Sequence, residues 1–293
     1  MSPIGKAIVL GGVTGLVGMP LTRALRDAGY EVLPTTRSML DPFDRGAVAD
    51  AVSSFGADVL VNTVAYTAVD KAEDEPDEAA RLNRALPDIL ARVCLDAGIG
   101  LVQYSTDFVF NGKKTSPYVE IDPVDPQSVY GATKLGGERA ILESGLENHL
   151  ILRTAWLFGP GKTNFVEKIL GFARTRDMLK VVHDQIGSPT CTVDLAAGTV
   201  ALLGAGARGI FHLVNSGRAS WCELASEAVS TAGINCEVLP IASAEYPQKA
   251  RRPAYSVLDT GKFAGVVGYA PRPWVQALRE YVYGLTSGEE EAR

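Results

Sequence analysis

The stretch Ala7-Ile8-Val9-Leu10-Gly11-Gly12-Val13-Thr14-Gly15-Leu16-Val17-Gly18 sets the reading of this chain. Its short apolar run, Ala7–Leu10, has the pattern of a strand buried on both faces of a parallel sheet. The glycines that follow let the chain turn sharply, so that backbone N–H groups at the next helix start can face an anion. Gly12, Gly15, Leu16, Val17 and Gly18 are therefore candidates to cradle a pyrophosphate, which implies a dinucleotide cofactor. The spacing is G-x-x-G-x-x-G, and glycine-rich turns by themselves are common. A second signal far downstream, Tyr130-Gly131-Ala132-Thr133-Lys134, makes the combination much more specific.

Outward from this stretch the chain alternates apolar runs with amphipathic segments. Ala7–Leu10, Glu31–Pro34, Val59–Thr63, Leu101–Tyr104 and Leu150–Arg153 read as strands. Met19–Ala28, Arg45–Ser54, Glu78–Ala97 and Lys134–Ser144 carry apolar residues at helical spacing. Such alternation predicts an α/β fold, a Rossmann-type doubly wound parallel sheet with its ligand at the carboxyl ends of the strands. Pro20, early in the first helix, removes a backbone donor unless it lies within the first turn, and a local distortion is expected there. Gly136-Gly137 costs helix propensity, which predicts close backbone packing there.

After Phe158-Gly159-Pro160-Gly161 the rhythm loosens, and Pro and Gly punctuate shorter segments. The expected division is a dinucleotide-binding domain over 1–158 and a smaller α/β substrate domain over 159–293. A strand at Gly209–Val214 is expected to return to the main sheet, interleaving the two. The tail Ser287–Arg293 is expected to fray.

Composition narrows the partners. With 293 residues, 46% hydrophobic, 21% charged and net charge −6, the chain is an ordinary globular protein, ample for a core and ill-suited to nucleic acid or acidic membranes. Cys94, Cys191, Cys222 and Cys236 form no C-x-x-C pair, and His149, His183 and His212 match no ligand spacing, so no metal site is expected. Glycines interrupt the apolar start, and no run approaches a membrane span, so a cytoplasmic protein is expected.

Tyr130 and Lys134 share one face of a helix. A free tyrosine ionises near pH 10, so acid–base work near neutrality benefits from a neighbouring cation, which Lys134 can supply. Lys134 could equally hold ribose hydroxyls, or the two could be an ordinary surface pair. Ser105-Thr106-Asp107 ends a strand where the site of such a sheet belongs; the Thr106 hydroxyl could polarise a carbonyl or simply cap the turn. Asn62, Ala65, Tyr66 and Thr67 end the preceding strand and are placed to line the cofactor. After the second strand, Thr35-Thr36-Arg37-Ser38 offers a cation where an NAD-selective fold usually shows an acid. Arg37 could pair with a 2′-phosphate, favouring NADPH over NADH, with Asp41 near the adenine; otherwise Arg37 is a solvated surface arginine.

Together these pieces resemble the extended short-chain dehydrogenase/reductase family, and within it the dTDP-4-dehydrorhamnose reductases. The supporting strings run from Ala65-Tyr66-Thr67-Ala68-Val69-Asp70-Lys71-Ala72-Glu73 and Tyr104-Ser105-Thr106-Asp107-Phe108-Val109-Phe110 through Arg153-Thr154-Ala155-Trp156. They continue with Asp184-Gln185-Ile186-Gly187-Ser188-Pro189-Thr190 and Ala250-Arg251-Arg252-Pro253. The resemblance implies Tyr130 as proton donor, Lys134 as its electrostatic helper and Thr106 as hydrogen-bond donor to a C4 ketone. Asp107 and Trp156 would contact the deoxyhexose, although Trp156 could instead fill core. For the diphosphate of a nucleotide sugar, Arg251 and Arg252 are the candidates, with no more than one touching phosphate. Related 4,6-dehydratases carry Thr-Asp-Glu where this chain has Thr106-Asp107-Phe108, so the eliminating base is missing. Rival readings are a reductase of another dTDP-linked 4-ketohexose and a regulatory subunit similar to the β subunit of methionine adenosyltransferase, against which Tyr130, Lys134 and Thr106 weigh. A monomer or homodimer is expected.

Overall fold

The computed structural model describes residues 4–290. In the first half, the chain runs β1 (Lys6–Leu10), α1 (Gly18–Asp27), β2 (Glu31–Thr35), α2 (Arg45–Phe55), β3 (Val59–Asn62), α3 (Val69–Ala72), α4 (Pro76–Ala80), a π-helical turn (Arg81–Ala85) and α5 (Leu86–Ala97). It continues through β4 (Gly100–Thr106), α6 (Val129–Glu143), β5 (His149–Thr154), β6 (Leu157–Phe158), α7 (Phe165–Ala173), β7 (Met178–Val182), β8 (Ile186–Gly187), β9 (Thr190–Cys191) and α8 (Thr192–Gly204). The last elements are β10 (Gly209–His212), β11 (Ala219–Ser220), α9 (Trp221–Thr231), β12 (Glu237–Ile241), α10 (Gly261–Val267) and α11 (Trp274–Glu290).

A parallel sheet in the order β10-β5-β4-β3-β1-β2 forms the centre. Because both faces are covered, successive residues of one strand enter opposite cores. Val9, Val61, Val102 and Leu152 pack against Leu21 and Leu25 of α1, Leu195 and Leu202 of α8, and Phe263 of α10. Ile8, Leu60, Leu101 and Ile151 face Val48 and Val52 of α2, Leu86 and Leu90 of α5, and Ile141 of α6. The chain winds outward from β1 to β2, then crosses back to β3. That reversal opens a crevice at the carboxyl ends of β1 and β3, where the glycine turn lies.

Short strand pairs (β7 with β12, β6 with β9, β8 with β11) and helices α7, α9 and α11 build a second set of cores around Phe158, Val166, Leu224, Leu278 and Val229. Between them α8 and β10 return to the main sheet, with Gly209–His212 pairing Leu150–Arg153 in parallel register.

Three local expectations meet a physical answer. Helix α1 begins at Gly18, so Pro20 lies in the first turn, where its missing N–H has no intrahelical partner to lose, and no distortion follows. The helix expected to run unbroken over Glu78–Ala97 widens into a π-turn at Arg81–Ala85, where the Leu86 N–H bonds the Arg81 carbonyl. Pro87 has no N–H to offer the carbonyl of Asn83. That carbonyl lies on Gly137 of α6, where a Cβ would come within 2.2 Å of it. Helix α11 spans Trp274–Glu290, and 291–293 of the tail expected to fray lie outside the described residues.

The crossing of the π-turn over α6 therefore depends on a missing side chain. Gly137→Ala must push the two helices apart and should cost about 1–3 kcal/mol, read as a lower midpoint in a urea or thermal melt. A variant as stable as the parent would contradict the close crossing.

Candidate active site

The glycine turn is built by contact. A Cβ at Gly18 would stand 2.2 Å from the Gly11 carbonyl oxygen, one at Gly15 would stand 2.7 Å from it, and one at Gly12 would stand 2.8 Å from Thr22 Oγ1. Helix α1 can approach the end of β1 this closely only with hydrogen at those positions. The Gly15 N–H is already used on the Gly11 carbonyl at 3.0 Å. By contrast, the amides of Leu16 and Val17 have no hydrogen-bond partner among the described residues, and Gly18 opens the ten-residue α1. These groups form an N–H cluster at the positive end of a helix, suited to a phosphate.

Beside it, Gly11, Thr35, Thr36, Arg37, Leu40, Phe43, Val64, Ala65 and Leu82 line a cavity of about 160 Å³. Arg37 is exposed at its mouth. Asp41 does not line this cavity; its Oδ1 accepts the Phe43 N–H at 3.2 Å and shapes the turn instead. Ala65 does line it, Tyr66 is buried next to the Tyr130 ring, and Thr67 is exposed.

At the end of β4, Thr106, Tyr130 and Lys134 come together. Ser128 caps α6 through the Gly131 N–H at 3.2 Å, and Glu73 accepts the Val129 N–H at 2.9 Å, so the start of the Tyr130 helix is fixed twice. The Tyr130 ring stands edge-on to Phe108, with centroids 5.5 Å apart. Burial pushes its hydroxyl up to about 12, while the Thr106 hydroxyl bonded to it pulls down and the nearby Asp107 pushes up. At neutral pH Tyr130 is thus a phenol. Lys134, 5% exposed, donates from Nζ to the Tyr104 carbonyl at 2.5 Å. Burial brings its ammonium down to about 8, opposed by the charge of Glu138.

Thr106 Oγ1 accepts the Phe108 N–H at 3.2 Å and donates to Asp107 Oδ1 at 3.0 Å. It caps the turn and reaches Tyr130 at once. Asp107 is 1% exposed, and its Oδ2 is buried without a hydrogen-bond partner among the described residues. Burial raises its carboxyl to about 6, against the pull of the Ser256 and Thr106 hydroxyls.

Trp156 is the one non-glycine residue with positive φ among the described residues, at 49°. Its indole stacks on Trp221 at 3.6 Å, nearly parallel, and a Cβ on Gly187 would meet it at 2.5 Å. One face of the ring is therefore already covered by protein. Arg252 forks onto Asp70, Nη1 to Oδ1 at 2.9 Å and Nη2 to Oδ2 at 2.8 Å, and Arg251 is exposed. Neither arginine lines the cavity of about 630 Å³ bounded by Lys113, Lys114, Ile186, Arg218, Glu223 and Tyr255. There Lys114 is paired with Asp122, whereas Lys113 and Arg218 have no side-chain partner among the described residues and the Tyr255 hydroxyl is buried unbonded. The adjoining Ser256 reaches Asp107, which links this cavity to the Thr106 end of the site. Lys113, Arg218 and Tyr255 belong to no sequence motif, because they come from loops far apart in the chain.

Asn83 was also silent in the sequence. The π-turn directs it inward, where its amide brackets the Tyr66 backbone (2.9 Å from its N, 3.1 Å from its O) and reaches Thr133 Oγ1 at 3.1 Å.

The family profile described as RmlD substrate binding domain matches residues 6–287. The chain is 42% identical to dTDP-4-dehydrorhamnose reductase of Streptomyces griseus, covering 92% of this chain and 90% of that one. It belongs to the dTDP-4-dehydrorhamnose reductase family. The spore coat polysaccharide biosynthesis protein SpsK of Bacillus subtilis is 40% identical over 96% of this chain and 98% of its own. The crystal structure of dTDP-4-dehydrorhamnose reductase from Bacillus anthracis in complex with NADP superposes with a TM-score of 0.91 at 31% identity, covering 96% of this chain and 99% of that one. Among the described residues of this family member, no cluster of candidate metal ligands occurs and no helix is long and apolar enough to cross a membrane.

Asp107 gives a pH-dependent test of the site. Its raised pKa means that the folded state carries the cost of a buried carboxylate above about pH 6 and not below the unfolded value near 4. Asp107→Asn should therefore stabilise the fold by on the order of 2–3 kcal/mol at pH 7.5 and by almost nothing at pH 4. Thermal melts at the two pH values check this; an equal shift at both would contradict it.

Proposed function

We propose that this chain reduces the C4 ketone of dTDP-4-dehydro-β-L-rhamnose to dTDP-L-rhamnose with NADPH. The carrying observation is the convergence of Thr106, Tyr130 and Lys134 at the same carboxyl end of the sheet as the glycine turn. The relative from Bacillus anthracis with NADP, and the relative from Streptomyces griseus named for this reduction, support the reading.

The residues present fit the cofactor. Leu16, Val17 and Gly18 would hold its pyrophosphate, the cavity lined by Leu40, Phe43 and Ala65 its adenine, and Arg37 its 2′-phosphate. NADH could enter the same cavity without the Arg37 contact. Tyr130 and Lys134 would reach the nicotinamide ribose, with Tyr66 behind them. When bound, NADPH supplies the hydride that reaches sugar C4.

The chain itself manages the proton. As negative charge grows on the C4 oxygen, Tyr130 gives up its phenolic proton to it. Lys134 then stabilises the phenolate left behind, and Thr106 donates a second hydrogen bond to the same oxygen. Such donors act where charge develops, so they lower the barrier rather than tighten ground-state binding. The unbonded Oδ2 of Asp107 is free for a sugar hydroxyl, and Trp156 borders the same end of the site. Lys113 and Arg218 are better placed for the diphosphate than Arg252, whose fork is spent on Asp70. In this reading the first part of the chain holds the dinucleotide, and the second part, together with Asp107 and Lys113 of the first, holds the nucleotide sugar.

With purified protein, NADPH and the ketosugar should give a steady loss of absorbance at the reduced-nicotinamide band. Tyr130→Phe should lower kcat by about 10²–10⁴-fold, the usual worth of a general acid, and Lys134→Met by about 10²-fold. Unchanged turnover in either variant would overturn the assignment. Offering several dTDP-linked 4-ketohexoses tests the sugar, since this reading expects the highest kcat/KM with the rhamnose precursor. Separately, Arg37→Ala should raise KM for NADPH about tenfold, the value of one charge-assisted hydrogen bond, and leave KM for NADH unchanged. Equal changes for both cofactors would place the 2′-phosphate elsewhere.

A further inference from the structure

Beneath the proposed site lies a buried ion pair that the reduction as described does not use. Arg153 donates from Nε to Glu138 Oε1 at 3.0 Å and from Nη2 to Oε2 at 2.8 Å, and the Ser105 hydroxyl donates to the same Oε1. The side chains of Arg153 and Glu138 are 3% and 2% exposed. The third guanidinium nitrogen reaches the Glu120 carbonyl at 3.3 Å, and the guanidinium lies 5.2 Å from the centre of the Phe110 ring. Every group here belongs to an element that carries the site. Ser105 precedes Thr106 in β4, Arg153 sits opposite Ser105 in the β4–β5 register, and Glu138 follows Lys134 by one helical turn on α6.

Stability alone does not explain this arrangement. Removing two charges from water is expensive, and well-packed apolar side chains often serve the fold as well or better. The position of the carboxylate suggests another purpose. Residues four apart lie on one face of a helix, so Glu138 presents negative charge to the buried Lys134. The other titratable or charged groups around Lys134 are Tyr130 on its own helix, Tyr104 and Asp107 from β4 and the turn after it, and Arg153 from β5. Tyr104 turns its hydroxyl away to Thr199 at 2.8 Å. The charge of Glu138 favours the proton on Lys134.

We propose that Glu138 is a positioning residue: its carboxylate, clamped by Arg153 and Ser105, holds Lys134 in its ammonium form for the reduction. This rests on the role given to Lys134 above. Burial alone drives the ammonium to shed its proton, and the fixed carboxylate opposes that loss. The two arginine hydrogen bonds fix the carboxylate in place, so that it favours the ammonium without taking the Nζ protons for itself. Ser105 transmits the same clamp to the strand end that presents Thr106.

The test is the pH dependence of kcat. In the parent protein, reduction should fall as pH rises through about 8, where Lys134 loses its proton. Glu138→Gln keeps size and hydrogen-bonding capacity but removes the charge. It should move this falling limb down by about one pH unit, so that kcat at pH 8 drops roughly tenfold relative to the parent while kcat at pH 6 changes little. KM for NADPH should stay within about threefold. Should Glu138→Gln fail to fold with Arg153 left uncompensated, the double variant Glu138→Gln/Arg153→Met, which also removes the opposing charge of Arg153, should melt near the parent and show the limb displaced in the same direction by a smaller amount. A limb that stays in place, or a loss of kcat equal at all pH values, overturns the proposal and leaves the pair a structural feature. Lys134→Met is the control that separates the two levels. If it keeps parental turnover, the role of Lys134 itself fails; if it abolishes turnover while Glu138→Gln keeps the parental profile, only the present inference fails.

Discussion

A lysine ammonium almost out of contact with solvent, bonded to the backbone carbonyl of Tyr104, is the constraint around which the site is arranged. A buried cation is tolerated only when its protons are used and a counter-charge lies within reach. The first requirement fixes the distance of α6 from β4. That distance in turn demands Gly131, where a Cβ would stand 2.4 Å from the Phe108 carbonyl, and Gly137, where it would meet Asn83. The glycines that look like defects in the α6 sequence are thus what lets a charged side chain reach under the end of a strand. Tyr130, a turn earlier on the same helix, takes its place by consequence.

The segment from Tyr66 to Glu75 ties this helix to both ends of the molecule. The Tyr66 hydroxyl donates to Glu75 at 2.8 Å, Glu73 accepts from the start of α6, and Asp70 receives both the Arg252 fork and the Ala250 N–H at 3.0 Å. The Arg252 hydrogen bonds hold the Asp70 carboxyl down at about 2, so the latch is charged across the whole physiological range. Because Asp70 is 45% exposed, this contact adds modestly to stability. Its larger effect is geometric: the 249–252 strap is pinned over the loop that forms one wall of the cofactor crevice. Four acidic residues at Asp70, Glu73, Asp74 and Glu75 therefore act as an anchor set rather than as a solvated run.

Much of the fold was legible because it rests on local rules. A buried strand, a glycine turn and a helix follow one another in Ala7–Gly18, and the later alternation repeats that pattern. Tyr130 and Lys134 were visible because their helical spacing is itself the chemistry. What stayed hidden depends on contacts between distant segments. Arg252 looked like a phosphate ligand until Asp70, far away in the chain, was seen to fill its fork. Trp156 looked free to stack on a sugar until Trp221 covered one face. The inward turn of Asn83 follows from Pro87, whose missing donor was visible, and from the carbonyl it leaves against Gly137, which was not. Lys113 and Arg218 carry no motif at all; they stand out as cations beside one cavity, their side chains having no partner among the described residues.

Thr106 shows how finely the protons must be shared. A hydroxyl has one proton to give, and here it is given to Asp107 Oδ1 while the oxygen accepts from the Phe108 N–H. To donate to a ketone, Thr106 must turn that proton away from Asp107. A fully ionised, buried carboxylate would resist the loss of a donor. Burial raises the Asp107 carboxyl to about 6, and Ser256 stands beside it as a replacement donor. A sugar hydroxyl reaching the unbonded Oδ2 would supply another. Substrate would thus satisfy Asp107 from one side and release Thr106 on the other, coupling sugar recognition to the hydrogen bond on the reacting oxygen. In this arrangement the burial of Asp107, a cost to the folded protein, would make the Thr106 donor available when substrate supplies the replacement.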